Sequence, residues 1–287
     1  MIHIETAQQL KDNINLVSNS KILGLDSETT GLDPLQDKLR LIQLSDGNNT
    51  LVIDVFKVGR KAVSAFLRPI LESKEIVKVL HNAKFDLKFF KHQLDIDVER
   101  IFDSMLCSIL IEGGLAPMQE NGKRSFPKGF HGLEQVAARY LNREVDKEEQ
   151  KSDWSGILTQ AQLEYAGNDA EVMLPLREAI IEKLKENKLI KVAKLEFEAV
   201  LPVAWMELNG IFLDIDQWMA VANDQLQKSY EYEEEVCREL KDVIPQGSLF
   251  GEPTINLGSY QQVQKYFSAY GIPMPPSTKE QFLLPLE

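Results

Sequence analysis

Cysteine is almost absent from this 287-residue sequence: Cys107 and Cys237 are the only two, far apart and in no CxxC pair. That argues against a disulfide framework and a structural zinc site, and it fits a reducing cytosol. Four histidines leave little for an imidazole-based metal centre. No apolar run is long enough to span a bilayer, and the opening MIHIETAQQLKDN lacks a basic stretch followed by an apolar one. The expectation is therefore a cytoplasmic protein, neither membrane-bound nor exported. Basic residues are in deficit, 32 against 44 acidic, for a formal net charge of −12. Broad, non-specific clamping of duplex nucleic acid needs a basic surface that releases counterions, so it is not expected. A small site that works through bound cations is not excluded. Internal repeats and low-complexity tracts are missing as well.

What is present supports a sizeable core: 44% of the residues are hydrophobic, and the length suits one domain with an appendage, or two domains. Leu10, Ile14 and Val17 recur at helical spacing within residues 5–18, with Thr6 placed to cap. Three apolar runs follow, Ile22 to Leu25, Leu39 to Leu44 and Thr50 to Val55. The last two are separated by Asp46-Gly47-Asn48-Asn49, a hairpin signal, so a meander is expected. Helical patterns over Lys61 to Leu71, residues 81–94, Leu133 to Leu141 and Thr159 to Asn187 alternate with short strand runs at Ile76 to Leu80 and near Ile101. Residues 113–132 show no periodicity and read as a loop. The whole predicts an α/β mixed sheet with flanking helices. From about residue 190 strand signals vanish and helices take over. A domain over 1–190 and a mostly helical segment over 191–287 are expected.

The stretch KILGLDSETTGLDP carries the first chemistry. Asp26 and Glu28 end an apolar strand, and residues two apart in a strand share a face. Two carboxylates aimed at one spot oppose each other's ionisation unless a cation lies between them, and divalent hard metals prefer such oxygens. Alone, a strand ending in a solvated polar turn explains the pair better. In HNAKFDLKFF, Asn82 is placed to cap a helix and Asp86 follows one turn later. In LEYAGNDAEV, Tyr165 and Asp169 are one turn apart on one helix face. Singly, Asp86 reads as a surface aspartate and Tyr165 as a core tyrosine. In order, Asp-x-Glu, Asn-x-x-x-Asp and Tyr-x-x-x-Asp form a set.

That set resembles the 3′–5′ exonucleases of the DEDD superfamily, in the variety with tyrosine in the third motif, over residues 20–187. The resemblance implies a ribonuclease-H-like fold, metal-binding carboxylates at Asp26, Glu28, Asp86 and Asp169, a water-orienting Tyr165, and two divalent cations, Mg²⁺ or Mn²⁺. DSETTGLDP, LEFEAVLPVAWMELNGIFLDIDQW and TINLGSYQQVQKYF are similar to the proofreading domain and early thumb of A-family DNA polymerases. With no palm or fingers before Glu287, polymerisation is not expected of this chain. QKSDWSGILTQAQLEYAGNDA is similar to ribonuclease D. Single-stranded or frayed DNA 3′ ends are thus the expected substrate, with RNA as the alternative. In a third reading, of another class, the helical segment docks a separate polymerase or nuclease partner. Further substrate contacts are open between two readings each. Leu32 is a wedge beside the terminal base or a buried turn leucine; Asn82 is a helix cap or a contact to the terminal sugar or phosphate. Trp154 is a stacking platform or a core side chain. Lys123, Arg124 and Lys128 guide phosphates or belong to an ordinary surface loop.

Overall fold

A six-stranded mixed sheet frames the computed structural model, which describes residues 1–113, 116, 118, 125–143, 149, 152–244 and 255–274. In chain order the elements are β1 (Ile2–Ile4), α1 (Ala7–Asn13), α2 (Asn15–Ser18), β2 (Ile22–Thr29), β3 (Leu39–Ser45), β4 (Thr50–Asp54), α3 (Val55–Val58), α4 (Arg60–Leu71), β5 (Val77–Leu80), α5 (Ala83–Leu94), β6 (Ile101–Asp103), α6 (Ser104–Glu112), α7 (Leu133–Leu141), α8 (Gln160–Glu186), α9 (Ile190–Asn209), α10 (Ile215–Glu239) and α11 (Tyr260–Tyr270). The sheet order is β1-β4-β3-β2-β5-β6. β2, β3 and β4 form the expected antiparallel meander, while β5 joins β2, β6 joins β5 and β1 joins β4 in parallel. Among the described residues no helix is long and apolar enough to cross a membrane.

Local chemistry explains most of these elements. Thr6 and Gln9 cap α1 reciprocally, as Thr159 and Gln162 cap α8. The β3–β4 turn is held by the Asp46 carboxylate, which accepts from the amides of Asn48 and Asn49, with Gly47 at φ 90°. β1 was not expected: three residues are too few to show alternation, and its stability comes from pairing with β4.

The start of α5 departs from expectation. Asn82 sits at the N-cap position, but at φ 64° and without a side-chain capping bond. The buried Asp103 takes over, accepting from the backbone N–H groups of Asn82 (3.1 Å) and Ala83 (2.8 Å) and also from Met105 (2.8 Å) and Leu106 (3.2 Å). One carboxylate at the end of β6 thereby caps α5 and α6 together. The left-handed turn at Asn82, which asparagine tolerates, swings the chain from β5 into α5.

Two compact units are present, Met1–Gly210 and Ile211–Glu287. The break falls one helix later than residue 190. α9 stays with the first unit because Val200 and Ala204 join its core, Phe197 packs on Phe102, and Glu207 pairs with Lys84 and Lys88 of α5. In the second unit Asp214 caps α10, none of whose residues is buried, and Ser259 caps α11. α10 ends at Glu239. Leu240, Ile244 and Ile255 form a small cluster with Tyr266 and Phe267.

The two faces of β2 are packed differently. Leu23 and Leu25 pack with Leu87, Phe89 and Phe90 of α5. Gly24, on the opposite face, lets α8 come into backbone contact: a Cβ there would lie 2.1 Å from the Ala170 carbonyl oxygen and 3.3 Å from Met173 Cβ. Gly24→Ala is therefore expected to destabilise the protein by about 1–3 kcal/mol in denaturant unfolding, as overpacking against backbone does. Gly167→Ala, whose one close contact is the flexible end of the Met1 side chain, with Val52 Cγ2 at an ordinary 3.7 Å, should be tolerated. Equal midpoints for the two variants would contradict this packing.

Candidate active site

Three segments distant in sequence deliver four carboxylates to one cleft. Asp26 and Glu28 come from the end of β2, Asp86 from the first turn of α5 and Asp169 from α8. Asp26, Glu28 and Asp169 each offer an oxygen, and these atoms all lie within 4.8 Å of one another. Asp169 reaches the strand because α8 lies against Gly24, in the same row of β2 as Asp26 and Glu28. Asp86 arrives from the other side. Ser27, which continues the Leu23–Leu25 row towards α5, donates its hydroxyl to Asp86 Oδ1 at 2.5 Å. All four acids and Tyr165 line a single cleft of about 470 Å³.

The acids strongly perturb one another. Asp26 is pushed well above the usual carboxylate range by desolvation and then by the charges of Asp86, Asp169 and Glu28. Glu28 is raised by desolvation, then by Asp169 and Asp86. Burial lifts Asp86 to about 7, although the Ser27 hydrogen bond opposes the rise. Tyr165 is raised too, first by burial and then by the Asp169 and Glu28 charges, with a hydrogen bond to Asp169 adding to the shift. It remains a neutral phenol and a hydrogen-bond donor. The donor set is all hard oxygen: three convergent carboxylates with a fourth beside them fit a divalent cation of the Mg²⁺, Mn²⁺ or Ca²⁺ type.

The other expected contacts divide. Leu32 is 81% exposed and lines the cleft, so it is not a buried turn leucine. Its turn is braced by Asp37, whose carboxylate accepts from Asp33 N–H at 2.8 Å, and by Thr29, which donates to the Gly31 carbonyl. Asn82 lines the cleft at its left-handed bend rather than capping through its side chain. Trp154 also lines the cleft but is only 4% exposed, packed with Tyr165, Leu41, Val52 and Leu163; this is a core position, with no free ring face for stacking. Lys128 is exposed in a turn and does not line the cleft. Lys123 and Arg124 lie outside the described residues. The sequence reading missed Ser27 and His81. Both are adjacent to motif residues; His81 lines the cleft with Nδ1 2.9 Å from Ser104 Oγ.

A mixed sheet with an acidic cluster at the end of an interior strand, completed by acids from two helices, defines the ribonuclease-H-like nuclease class. The chain belongs to the 3′-5′ exonuclease family, whose model matches residues 1–185. It is 31% identical over 236 residues to DNA polymerase I of Aquifex aeolicus (strain VF5), covering 75% of this chain and 36% of that one. It is also 31% identical over 169 residues to ribonuclease D of Shewanella sp. (strain ANA-3), covering 58% of this chain and 39% of the relative. The chain thus spans less than two fifths of either relative. Among solved structures, Brucella melitensis NrnC with bound Mg²⁺ is similar at 25% identity and a TM-score of 0.57, over 69% of this chain and 92% of that one.

The raised carboxylates tie stability to pH. The folded state holds protons on these groups more tightly than the unfolded chain does, so their contribution is complete below about pH 4 and is lost as pH rises through the folded value, about 7 for Asp86. In EDTA the melting temperature should fall across that window, and Asp86→Asn should flatten part of the slope. A melting temperature that rises over the window, or a slope indifferent to Asp86→Asn, would contradict the electrostatic account.

Proposed function

We propose that the chain is a metal-dependent exonuclease that removes 5′-mononucleotides from the 3′ end of single-stranded or frayed DNA. The observation that carries this reading is the convergence of Asp26, Glu28 and Asp169 within 4.8 Å, with Asp86 and Tyr165 in the same cleft. DNA is favoured because the likeness to the Aquifex polymerase runs over 236 residues, past the end of the family match at residue 185. The likeness to ribonuclease D, at the same identity, covers 58% of the chain and supports RNA as the second reading.

In this mechanism Asp26, Glu28, Asp86 and Asp169 would hold two divalent cations, Mg²⁺ or Mn²⁺, with Asp26 shared between them and Ser27 keeping Asp86 in place. Bound there, the cations would supply charge neutralisation at the phosphodiester and the departing 3′-oxygen and would acidify the attacking water. Tyr165, protonated and anchored on Asp169, orients that water together with Glu28. Leu32, rigid and exposed at the cleft mouth, packs beside the terminal base. With a net charge of −12, the protein gains little from long tracts of backbone, and engagement is confined to the strand end.

A 5′-labelled oligonucleotide with Mg²⁺ should give a ladder shortening from the 3′ end, abolished by EDTA and by Asp26→Ala. Tyr165→Phe should lower kcat by a factor of about 10² with KM little changed. Shortening from the 5′ end, or activity that survives Asp26→Ala, would contradict the assignment; a large preference for the matched RNA strand would replace DNA with RNA.

A further inference from the structure

Gln43 stands on β3 directly opposite Asp26 in the β2–β3 register. Residues opposed in an antiparallel pair send their side chains to the same face, with Cβ atoms about 4.5–5.5 Å apart. The same register sets Leu41 opposite Glu28 and Ser45 opposite Gly24. This face lies under α8. Gly24 abuts Ala170, Leu41 packs with Tyr165 and Ala166, and Thr50, hydrogen-bonded to Ser45, donates to Glu171 of α8 at 2.7 Å. Gln43 therefore belongs to the floor between the strand that carries Asp26 and the helix that carries Asp169.

Its side chain is 0% exposed, and neither Oε1 nor Nε2 has a hydrogen-bond partner among the described residues. Buried polar atoms are nearly always paired, because an amide stripped of water and given nothing in return costs stability. An apolar residue of the same length would suit this sheet better for packing alone. Of the two residues that oppose Gln43 across the sheet, Val52 and Asp26, only Asp26 has a polar side chain.

We infer that Gln43 is a positioning residue for the metal centre: its amide N–H group donates to the Asp26 carboxylate when that carboxylate ligates divalent cations, fixing the orientation from which Asp26 serves both. The inference rests on the exonuclease reading above and deepens it. Gln43 touches neither substrate nor ion; it acts through Asp26. Groups that orient a metal-ligating carboxylate in this way typically contribute about 10–100-fold in metal affinity or activity.

The test is Gln43→Met, which keeps the length of the side chain and removes the amide, with Gln43→Leu as a second apolar replacement. Melting in EDTA and Mn²⁺ binding by isothermal titration are measured on the full chain, alongside kcat. The expected result is a melting temperature in EDTA equal to or above that of the wild type, Mn²⁺ binding about 10–100-fold weaker, and a kcat that falls at limiting Mn²⁺ and recovers as Mn²⁺ is raised. Either folded variant with wild-type Mn²⁺ affinity overturns the inference, whatever its stability, and makes Gln43 a packing residue. A wild-type chain that neither binds Mn²⁺ nor shortens a 3′ end overturns the exonuclease reading itself, a failure visible before any variant is made.

Discussion

Four carboxylates that share one cleft cannot all carry charge without a cation between them, and the rest of the structure follows from holding them there. Each acid raises the proton affinity of its neighbours, and two of them, Asp86 and Asp169, are 3% and 6% exposed. Without a cation the cluster opposes folding at neutral pH; with one it becomes an organised set of hard ligands. The fold must therefore supply enough apolar packing elsewhere to keep an unfavourable arrangement in place, which is how functional sites usually depart from optimal stability.

Specific contacts do this. Backbone contact between Gly24 and Ala170 sets the distance between the strand that carries two acids and the helix that carries the third. The Ser27 hydroxyl ties the fourth acid to the reverse side of that strand. Asp103 fixes the starts of α5 and α6 with one carboxylate, so the turn bearing Asn82 and Asp86 is anchored to β6. α9 closes over α5 through Val200, Ala204 and the Glu207 pairs with Lys84 and Lys88. Lys84 and Lys88 thus fasten two helices together.

Much of this was legible in the sequence because its signals are local. Period-two spacing put Asp26 and Glu28 on one face, one-turn spacing paired Tyr165 with Asp169, and apolar runs with turn residues between them marked the meander. What could not be read depends on tertiary contact. Asp103 displaces Asn82 as the cap of α5 from twenty-odd positions away. Trp154 carries the same sequence signal whether it stacks a base or fills the core, and only the packing of Leu41, Val52 and Leu163 around it decides. Leu32 shows the reverse, an apolar residue held outward by a braced turn. Nothing local in residues 190–209 shows that this helix belongs with the first unit; Val200 and Ala204 join its core only in the fold. Gln43, an uncharged polar residue between Ile42 and Leu44, would point to solvent in an ordinary edge strand, but β3 is buried on both faces.

The most direct measurement is anomalous diffraction from crystals soaked in Mn²⁺. The account predicts two peaks among Asp26, Glu28, Asp86 and Asp169, with Asp26 between them. His3, Glu5 and Asp54 also lie close enough together to hold an ion, but Lys57 already pairs with Glu5 and Arg40 with Asp54, so no peak is expected there. Manganese at that second cluster and none among the four acids would contradict the account.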